Sequence, residues 1–326
     1  MELLPNDKTK PMIAGHKEKT HSNFPAIWLV LCMLCIACSD QDDRIAVLPV
    51  QEYPERVQDF SLWQLEQFGG ESQMGYILRT DDGHVIVVDG GRPVAAEFLE
   101  DYLVQLGGSV DMWLTTHPHI DHIGALDKII QDSRVTIKSI VQSTIDEELI
   151  RLHEPQSYEL VKEYYHNLKR SGIPVLDASQ GEVFTLGDGV ELKILGDKNE
   201  KILVNLVNNS SLVFKISSKT KSVLFLGDLG VEGGKEILKS FGPEDLRADY
   251  VQMAHHGQDG VDKMFYEQVG ATYALWPTPI WLWENNLDAK GYNTGIWKTL
   301  AVRRWVEELH IKKNFVSGIE GTQQID

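Results

Sequence analysis

The chain has 326 residues, with 31 lysines and arginines against 48 aspartates and glutamates, for a net charge of −17. So acidic a body has no electrostatic footprint for tracking a nucleic-acid backbone, which argues against strong nucleic-acid binding and leaves small anions, neutralised locally, as the acceptable charged substrates. Its three cysteines, Cys32, Cys35 and Cys38, all precede residue 40, so the rest of the chain has neither a disulfide nor a thiolate metal ligand.

In chain order, the first element is an apolar stretch over 24–37, preceded by Lys17 and Lys19. A bilayer span needs about 20 residues, so this shorter run suits the core of a signal peptide. Its end, Leu34-Cys35-Ile36-Ala37-Cys38, resembles a bacterial lipoprotein cleavage site with Cys38 as the lipidated residue. The following Ser39-Asp40-Gln41-Asp42-Asp43 resembles a lipoprotein surface-export signal, or is a solvated spacer. The expectation is an exported bacterial lipoprotein, anchored to the outer membrane or cell surface without spanning it. Residues 1–38 are then leader and lipidation site, and 39–45 an acidic tether. The leader carries four lysines against three acids, so the remainder holds −18.

From 46 to 326 the pattern reads as one domain of roughly 280 residues. Period-two apolar patterns predict strands over 61–67, 74–79 and 84–88, a helix over 94–106, and a strand over 110–115. A histidine-rich loop leads into a helix near 124–130, then a strand over 137–141. The polar stretch 147–171 predicts a single helix capping the site, with Tyr158, Leu160, Val161, Tyr164 and Leu168 on its apolar positions. His153 and His166 on it are spare metal-ligand candidates. The second half predicts strands over 182–186, 190–195, 211–216, 222–226, 249–253, 272–276 and 313–316. Helices are expected over 233–241, 261–269 and 296–310. Two β-rich halves, each finishing with helices, predict an α/β layered sandwich.

The segment Thr116-His117-Pro118-His119-Ile120-Asp121-His122 packs three imidazoles and a carboxylate into six residues at a strand-to-helix junction. Imidazoles and carboxylates at close range coordinate divalent cations. His117 and His119, two apart in an extended loop, point the same way and share one metal. Asp121 and His122 follow at the helix start and face a second.

The motif HPHIDH resembles the HxHxDH signature of the metallo-β-lactamase superfamily. Val87-Val88-Asp89-Gly90-Gly91, Leu224-Phe225-Leu226-Gly227-Asp228 and Ala254-His255-His256-Gly257 are similar to that family's later landmarks, in the same order. The HHG pair and Asn208-Asn209-Ser210-Ser211 resemble the branch containing the hydrolase domain of the DNA-uptake competence channel and the phosphorylcholine esterases. That resemblance implies an αββα sandwich over 46–326 and two divalent ions, Zn²⁺ or Mn²⁺. The implied chemistry is hydrolysis by a metal-bridging hydroxide, with a small or cell-surface phosphodiester as the leading substrate. An amide, lactam or lactone hydrolase, or a non-enzymatic surface lipoprotein holding metal for structure, are the alternatives. Where many family members have a histidine ligand, this chain has Asn208-Asn209-Ser210, leaving full ligation of the first site open.

The implied ligands are His117 and His119 for one ion, and Asp121, His122 and His256 for the other, with Asp228 bridging. Asp121 is also a candidate catalytic group. Asp89 supports a ligand histidine by accepting its N–H. In an extended HHG segment neighbours point apart, so His256 is the expected ligand and His255 a substrate contact or proton donor. Asn208 and Asn209 are candidate substrate contacts. Trp281 and Trp283, in the Pro-broken segment 276–284, form a candidate aromatic wall for a quaternary ammonium or sugar, or pack in the core.

Overall fold

The computed structural model describes residues 59–325. They fall in one compact unit, Pro54–Asp326. The leader, Cys38 and the acidic tether lie outside the described residues. No described helix is long and apolar enough to cross a membrane.

The first half runs β1 (Phe60–Gln64), β2 (Gly75–Thr80), β3 (Val85–Asp89), α1 (Ala96–Gln105), β4 (Ser109–Val110), β5 (Met112–Leu114) and α2 (Ile120–Ile129). It continues with β6 (Thr136–Ile137), β7 (Ile140–Gln142), α3 (Glu147–His153), α4 (Pro155–Ser171) and β8 (Val175–Asp177). The second half opens with β9 (Val183–Gly187), β10 (Val190–Gly196), α5 (Leu206–Asn209), β11 (Val213–Ser217), β12 (Ser222–Phe225), α6 (Val231–Ser240) and α7 (Pro243–Leu246). It closes with β13 (Tyr250–Gln252), α8 (Lys263–Val269), β14 (Tyr273–Trp276), α9 (Ile280–Trp283), α10 (Thr299–Glu308), β15 (Lys313–Val316), α11 (Ser317–Glu320) and β16 (Gln323–Ile325).

Two seven-stranded sheets result, ordered β16-β1-β2-β3-β5-β7-β8 and β15-β14-β13-β12-β11-β10-β9, while β4 and β6 pair separately. Both sheets follow one plan. In the first, β16 to β3 pair antiparallel and β3 to β8 parallel. In the second, β9 to β12 pair antiparallel and β12 to β15 parallel. The halves repeat in topology although no short repeat is visible in the sequence.

Alternation puts Leu62, Tyr76, Leu78, Ile86 and Val88 of the first sheet against Ile194, Phe214, Ile216, Val223 and Phe225 of the second. Each such side chain contributes about 1.5–3 kcal/mol on leaving water. The outer face of the first sheet packs on α1, α2 and α4 through Val85, Val87, Leu99, Leu103, Trp113, Leu126 and Leu168. That of the second packs on α6, α8 and α10 through Leu224, Val251, Ile237, Phe265, Val302 and Val306. The architecture is therefore helix, sheet, sheet, helix. Central β3, covered on both faces, is buried along its whole length, which is why it reads as an unbroken apolar run.

The single helix expected over 147–171 is two. Glu154 leaves the helical region (φ −144°, ψ 58°) because Pro155 follows it: the proline ring excludes an α conformation at the preceding residue, and its missing N–H suits only a first helical turn. The helix expected from 296 begins at Thr299, and β8 and β16, both edge strands with little apolar alternation, were not expected at all.

Candidate metal centre

The site lies where β3, β5, β12 and β13 end. β3 delivers Asp89 into a turn with positive φ at Asp89 (57°) and Gly90 (124°). A Cβ on Gly90 would lie 3.0 Å from Leu99 and 3.1 Å from Trp113, so glycine alone allows this close approach. The fully buried Asp89 accepts from Thr116 N (2.7 Å), Thr116 Oγ1 (2.8 Å) and His122 Nδ1 (2.7 Å). His122 therefore carries a proton on Nδ1 and turns Nε2 inward.

β5 leads through Thr116 to His117 and His119, and α2 then presents Asp121 and His122 in its first turn. His117 Nε2 is 3.1 Å from His119 Nδ1. The outer nitrogen of His119 donates to Glu154 (2.7 Å), so its inner Nδ1 is the lone-pair nitrogen. His117 Nδ1 rests on the hydroxyls of Thr116 (3.2 Å) and Ser211 (3.4 Å).

Asp228, just past β12, sits among the imidazoles. Its Oδ1 is 3.3 Å from His122 Nε2, and its Oδ2 is 3.5 Å from His256 Nε2, 3.7 Å from His255 Nε2 and 3.8 Å from His117 Nε2. His256 Nε2 also lies 3.3 Å from Asp121 Oδ2, while its Nδ1 donates to the Pro277 carbonyl at 2.8 Å. The HHG segment is not extended. His255 (φ 51°), His256 (φ 55°) and Gly257 (φ 75°) form a left-handed turn, which corrects the expectation that the two imidazoles point apart. Both reach Asp228. Left-handed backbone at non-glycine residues costs about 1–3 kcal/mol each and clusters at functional sites.

The donor set fits a divalent cation. His117, His122 and Asp228 form one group, and Asp121, His122 and His256 another, each with ligand atoms within 4.8 Å of one another, so His122 belongs to both. His119 joins neither and lies against His117. His122 Nε2, His256 Nε2 and Asp228 Oδ1 are buried with no hydrogen-bond partner, although they face one another. Buried polar atoms left unpaired are costly, and a shared cation would satisfy all three. Nitrogen and carboxylate donors without sulfur suit zinc or a harder ion such as manganese.

The electrostatics agree. Burial opposes charge on every group, yet Asp228 and Asp89 hold His122 well above its ordinary value, and Asp228 and Asp121 push His256 up to about 9. Burial likewise opposes ionisation of Asp228 and Asp121, yet His256 and His122 bring both below the carboxylate range. Burial, helped by His122, lowers His117. These carboxylates are built to hold positive charge.

Other expected residues separate. Asn208 lies at the site, its Nδ2 3.4 Å from His255 Nε2 and its Oδ1 buried and unpaired. Asn209 does not face it: its Oδ1 accepts from Gly230 N (3.2 Å) and Gly233 N (3.1 Å), and its Nδ2 donates to Val204 O (2.9 Å). It ties α5 to the start of α6. Trp283 takes the packing alternative: its ring meets Trp276 edge-on and is covered by the Arg303 guanidinium at 4.0 Å. Trp281 donates to the Gly70 carbonyl at 2.8 Å and packs on Trp297 at 4.9 Å. The aromatic pair braces the loop that leads to Met74, whose amide binds the Asp121 carbonyl. His153 and His166 are exposed and outside the cluster. From the same segment Glu154 enters instead, with no sequence signal beyond the proline after it.

The family model of the metallo-beta-lactamase superfamily matches residues 69–265. The chain belongs to this superfamily of metal-dependent hydrolases. ComE operon protein 3 of Bacillus subtilis (strain 168) is 24% identical over 151 residues, covering 46% of this chain and 17% of that protein. The chain thus matches only about a sixth of that relative's length. Among solved structures it resembles the metallo-beta-lactamase fold protein YhfI from Bacillus subtilis, with TM-score 0.51 and 12% identity over 82% of this chain and 100% of that one. Igni18, a metallo hydrolase from Ignicoccus hospitalis KIN4/I, aligns with TM-score 0.48 and 16% identity over 82% and 99% of the two chains. The likeness to YhfI concerns the fold alone.

Proposed function

We propose that this superfamily member is a phosphodiesterase acting on a small or cell-surface phosphoester. The observation that carries the reading is the pairing of Asn208 Nδ2 with His255 Nε2, 3.4 Å apart beside Asp228, where many family members place a third histidine ligand. Two adjacent hydrogen-bonding groups suit the two non-bridging oxygens of a phosphodiester, whereas a planar acyl group offers one oxygen.

In this reading His117 and His119 would hold one divalent ion and Asp121, His122 and His256 the other, with Asp228 within reach of both groups. When bound, such a pair supplies Lewis acidity and an activated water. The chain's own groups do the rest. Asp89 and the Pro277 carbonyl take the outer N–H of His122 and His256, so the inward nitrogens are the ones that turn to a metal once they have shed their protons. Burial holds His255 below its ordinary value despite the pull of Asp228, so it is neutral at pH 7 and serves as a hydrogen-bonding contact rather than a proton reservoir. Asn208 orients the phosphoryl group from the same side. With −17 on the chain, a small substrate is favoured over a polyanion.

The test is turnover of bis-p-nitrophenyl phosphate, p-nitrophenyl phosphorylcholine and nitrocefin by chain loaded with Zn²⁺ or Mn²⁺. Phosphodiester turnover that falls at least tenfold in Asn208→Ala supports the reading; nitrocefin turnover alone replaces it with acyl hydrolysis. The leader sequence supports export and lipid anchoring through Cys38, and labelling with an alkyne fatty acid, lost in Cys38→Ala, checks it.

A further inference from the structure

Three inward-facing nitrogens of the cluster have their rings fixed by an acceptor on the far side. For His122 it is Asp89 at the end of β3, and for His256 the Pro277 carbonyl. For His119 it is Glu154, which comes from neither sheet but from the break between α3 and α4. Glu154 is 5% exposed, and its carboxylate is fully engaged. Oε1 accepts from His119 Nε2 (2.7 Å) and Ser157 Oγ (3.0 Å), and Oε2 from the backbone N–H of Val207 (3.1 Å). One carboxylate therefore touches a candidate ligand on one side and, on the other, the residue before Asn208.

Its placement is specified by the chain. Asp146 caps α3 by accepting from Glu148 N (2.7 Å) and Leu149 N (3.3 Å), and Ile145, Ile150 and Val161 pack against Leu206 and Val207. Pro155 then breaks the helix at the one residue that must turn inward. In an unbroken helix, backbone geometry would keep the 154 side chain on the helix surface, and this three-way contact would be lost.

We propose that Glu154 is a positioning residue with two tasks. It fixes His119 as the Nε2–H tautomer, directing the Nδ1 lone pair at the first metal position, and it seats Asn208 through Val207. The negative charge behind His119 also makes that imidazole a stronger donor, compensating a position that has two histidines rather than three. The inference rests on the metal-centre reading above.

The experiment compares the full chain with its Glu154→Gln, Glu154→Ala and Asp89→Asn variants. Zinc per chain is counted during competition with a chromophoric chelator, and long-range ¹H–¹⁵N spectra of the metal-free proteins report imidazole tautomers. The expected result is two zinc ions in the unmodified chain. In both Glu154 variants one of the two should bind about 10–100-fold more weakly, the Gln variant less affected than the Ala variant. His119 should be the Nε2–H tautomer in the unmodified chain and a mixture in Glu154→Ala, while Asp89→Asn should disturb His122 and leave His119 alone. If Glu154→Gln and Glu154→Ala titrate zinc as the unmodified chain does, with His119 unchanged, the inference is overturned while the metal centre stands. If the unmodified chain binds no zinc, both fall. Should Glu154→Ala not fold, the near-isosteric Gln variant decides.

Discussion

His255 and His256, adjacent in the chain, both aim Nε2 at the same oxygen of Asp228, at 3.7 and 3.5 Å. Only the left-handed turn through HHG makes this possible. The two are not equivalent, because His256 has its outer nitrogen fixed by Pro277 and also faces Asp121, whereas His255 neighbours Asn208. His256→Ala should therefore lose bound metal and turnover together. His255→Ala should keep its metal and lose turnover, and metal content beside kcat for each variant reads the difference. Equal metal loss in both would make His255 a ligand.

Asp228 faces four imidazoles and leaves Oδ1 unpaired. Asp228→Ala should abolish metal binding and turnover and also lower the thermal midpoint of the metal-stripped chain, since it leaves the buried imidazoles that Asp228 pairs with uncompensated. Calorimetry before and after chelation checks both halves.

Gly257 sets the turn and also touches the core. A Cβ there would lie 2.3 Å from the ring of Trp276, at a φ of 75°. Gly257→Ala should cost about 1–3 kcal/mol by overpacking, with further strain from the backbone. Urea unfolding measures it, and wild-type stability in this variant would contradict the close approach.

Asn208 and Asn209 should part company. Asn209→Ala removes two bonds at the start of α6 and should cost about 1–3 kcal/mol of stability with kcat nearly unchanged. Asn208→Ala should do the reverse. Paired unfolding and kinetic measurements distinguish them.

The pH response follows from the same charges. In the metal-stripped chain His256 is raised to about 9 from an ordinary 6.5, so its pairing with Asp228 and Asp121 stabilises fully below about 6.5 and is lost as pH rises through 9. The lowered Asp228 and Asp121 contribute above their ordinary range near 3.8, and that contribution is lost as pH falls below it. His117, lowered, works against folding below 6.5. Stripped chain should thus lose stability from pH 7 to 10, whereas metal affinity rises over that range because His122 and His256 must shed protons to bind. Affinity flat across pH 6–9 would contradict the proton competition.

Much of the site is local in sequence and so legible there. His117, His119, Asp121 and His122 fall within six residues, and Asp89, Asp228 and His256 each follow an apolar strand. The layered fold was legible for the same reason, since central strands are continuous apolar runs. What the sequence hid depends on contacts across long separations or on backbone angles. Glu154 reaches His119 only because Pro155 breaks a helix that periodicity alone would extend. Asn209 and Asn208 are indistinguishable until α6 packs beside one of them. Trp283 could be an open aromatic wall until Arg303 covers it. The HHG turn is a matter of φ, which residue type does not announce for histidine.

The strand order has a consequence for assembly. β16 pairs with β1 and thereby completes the first sheet with residues from the far end of the chain. Gln64 of β1 meanwhile donates to the carbonyls of Trp276 (3.4 Å) and Phe315 (3.1 Å) across the halves. A chain emerging from its N-terminal side therefore cannot seal its first sheet until its last strand arrives. Until then β1 presents an open edge to any other strand nearby, and mispairing along that edge stays possible for as long as β16 is not in place.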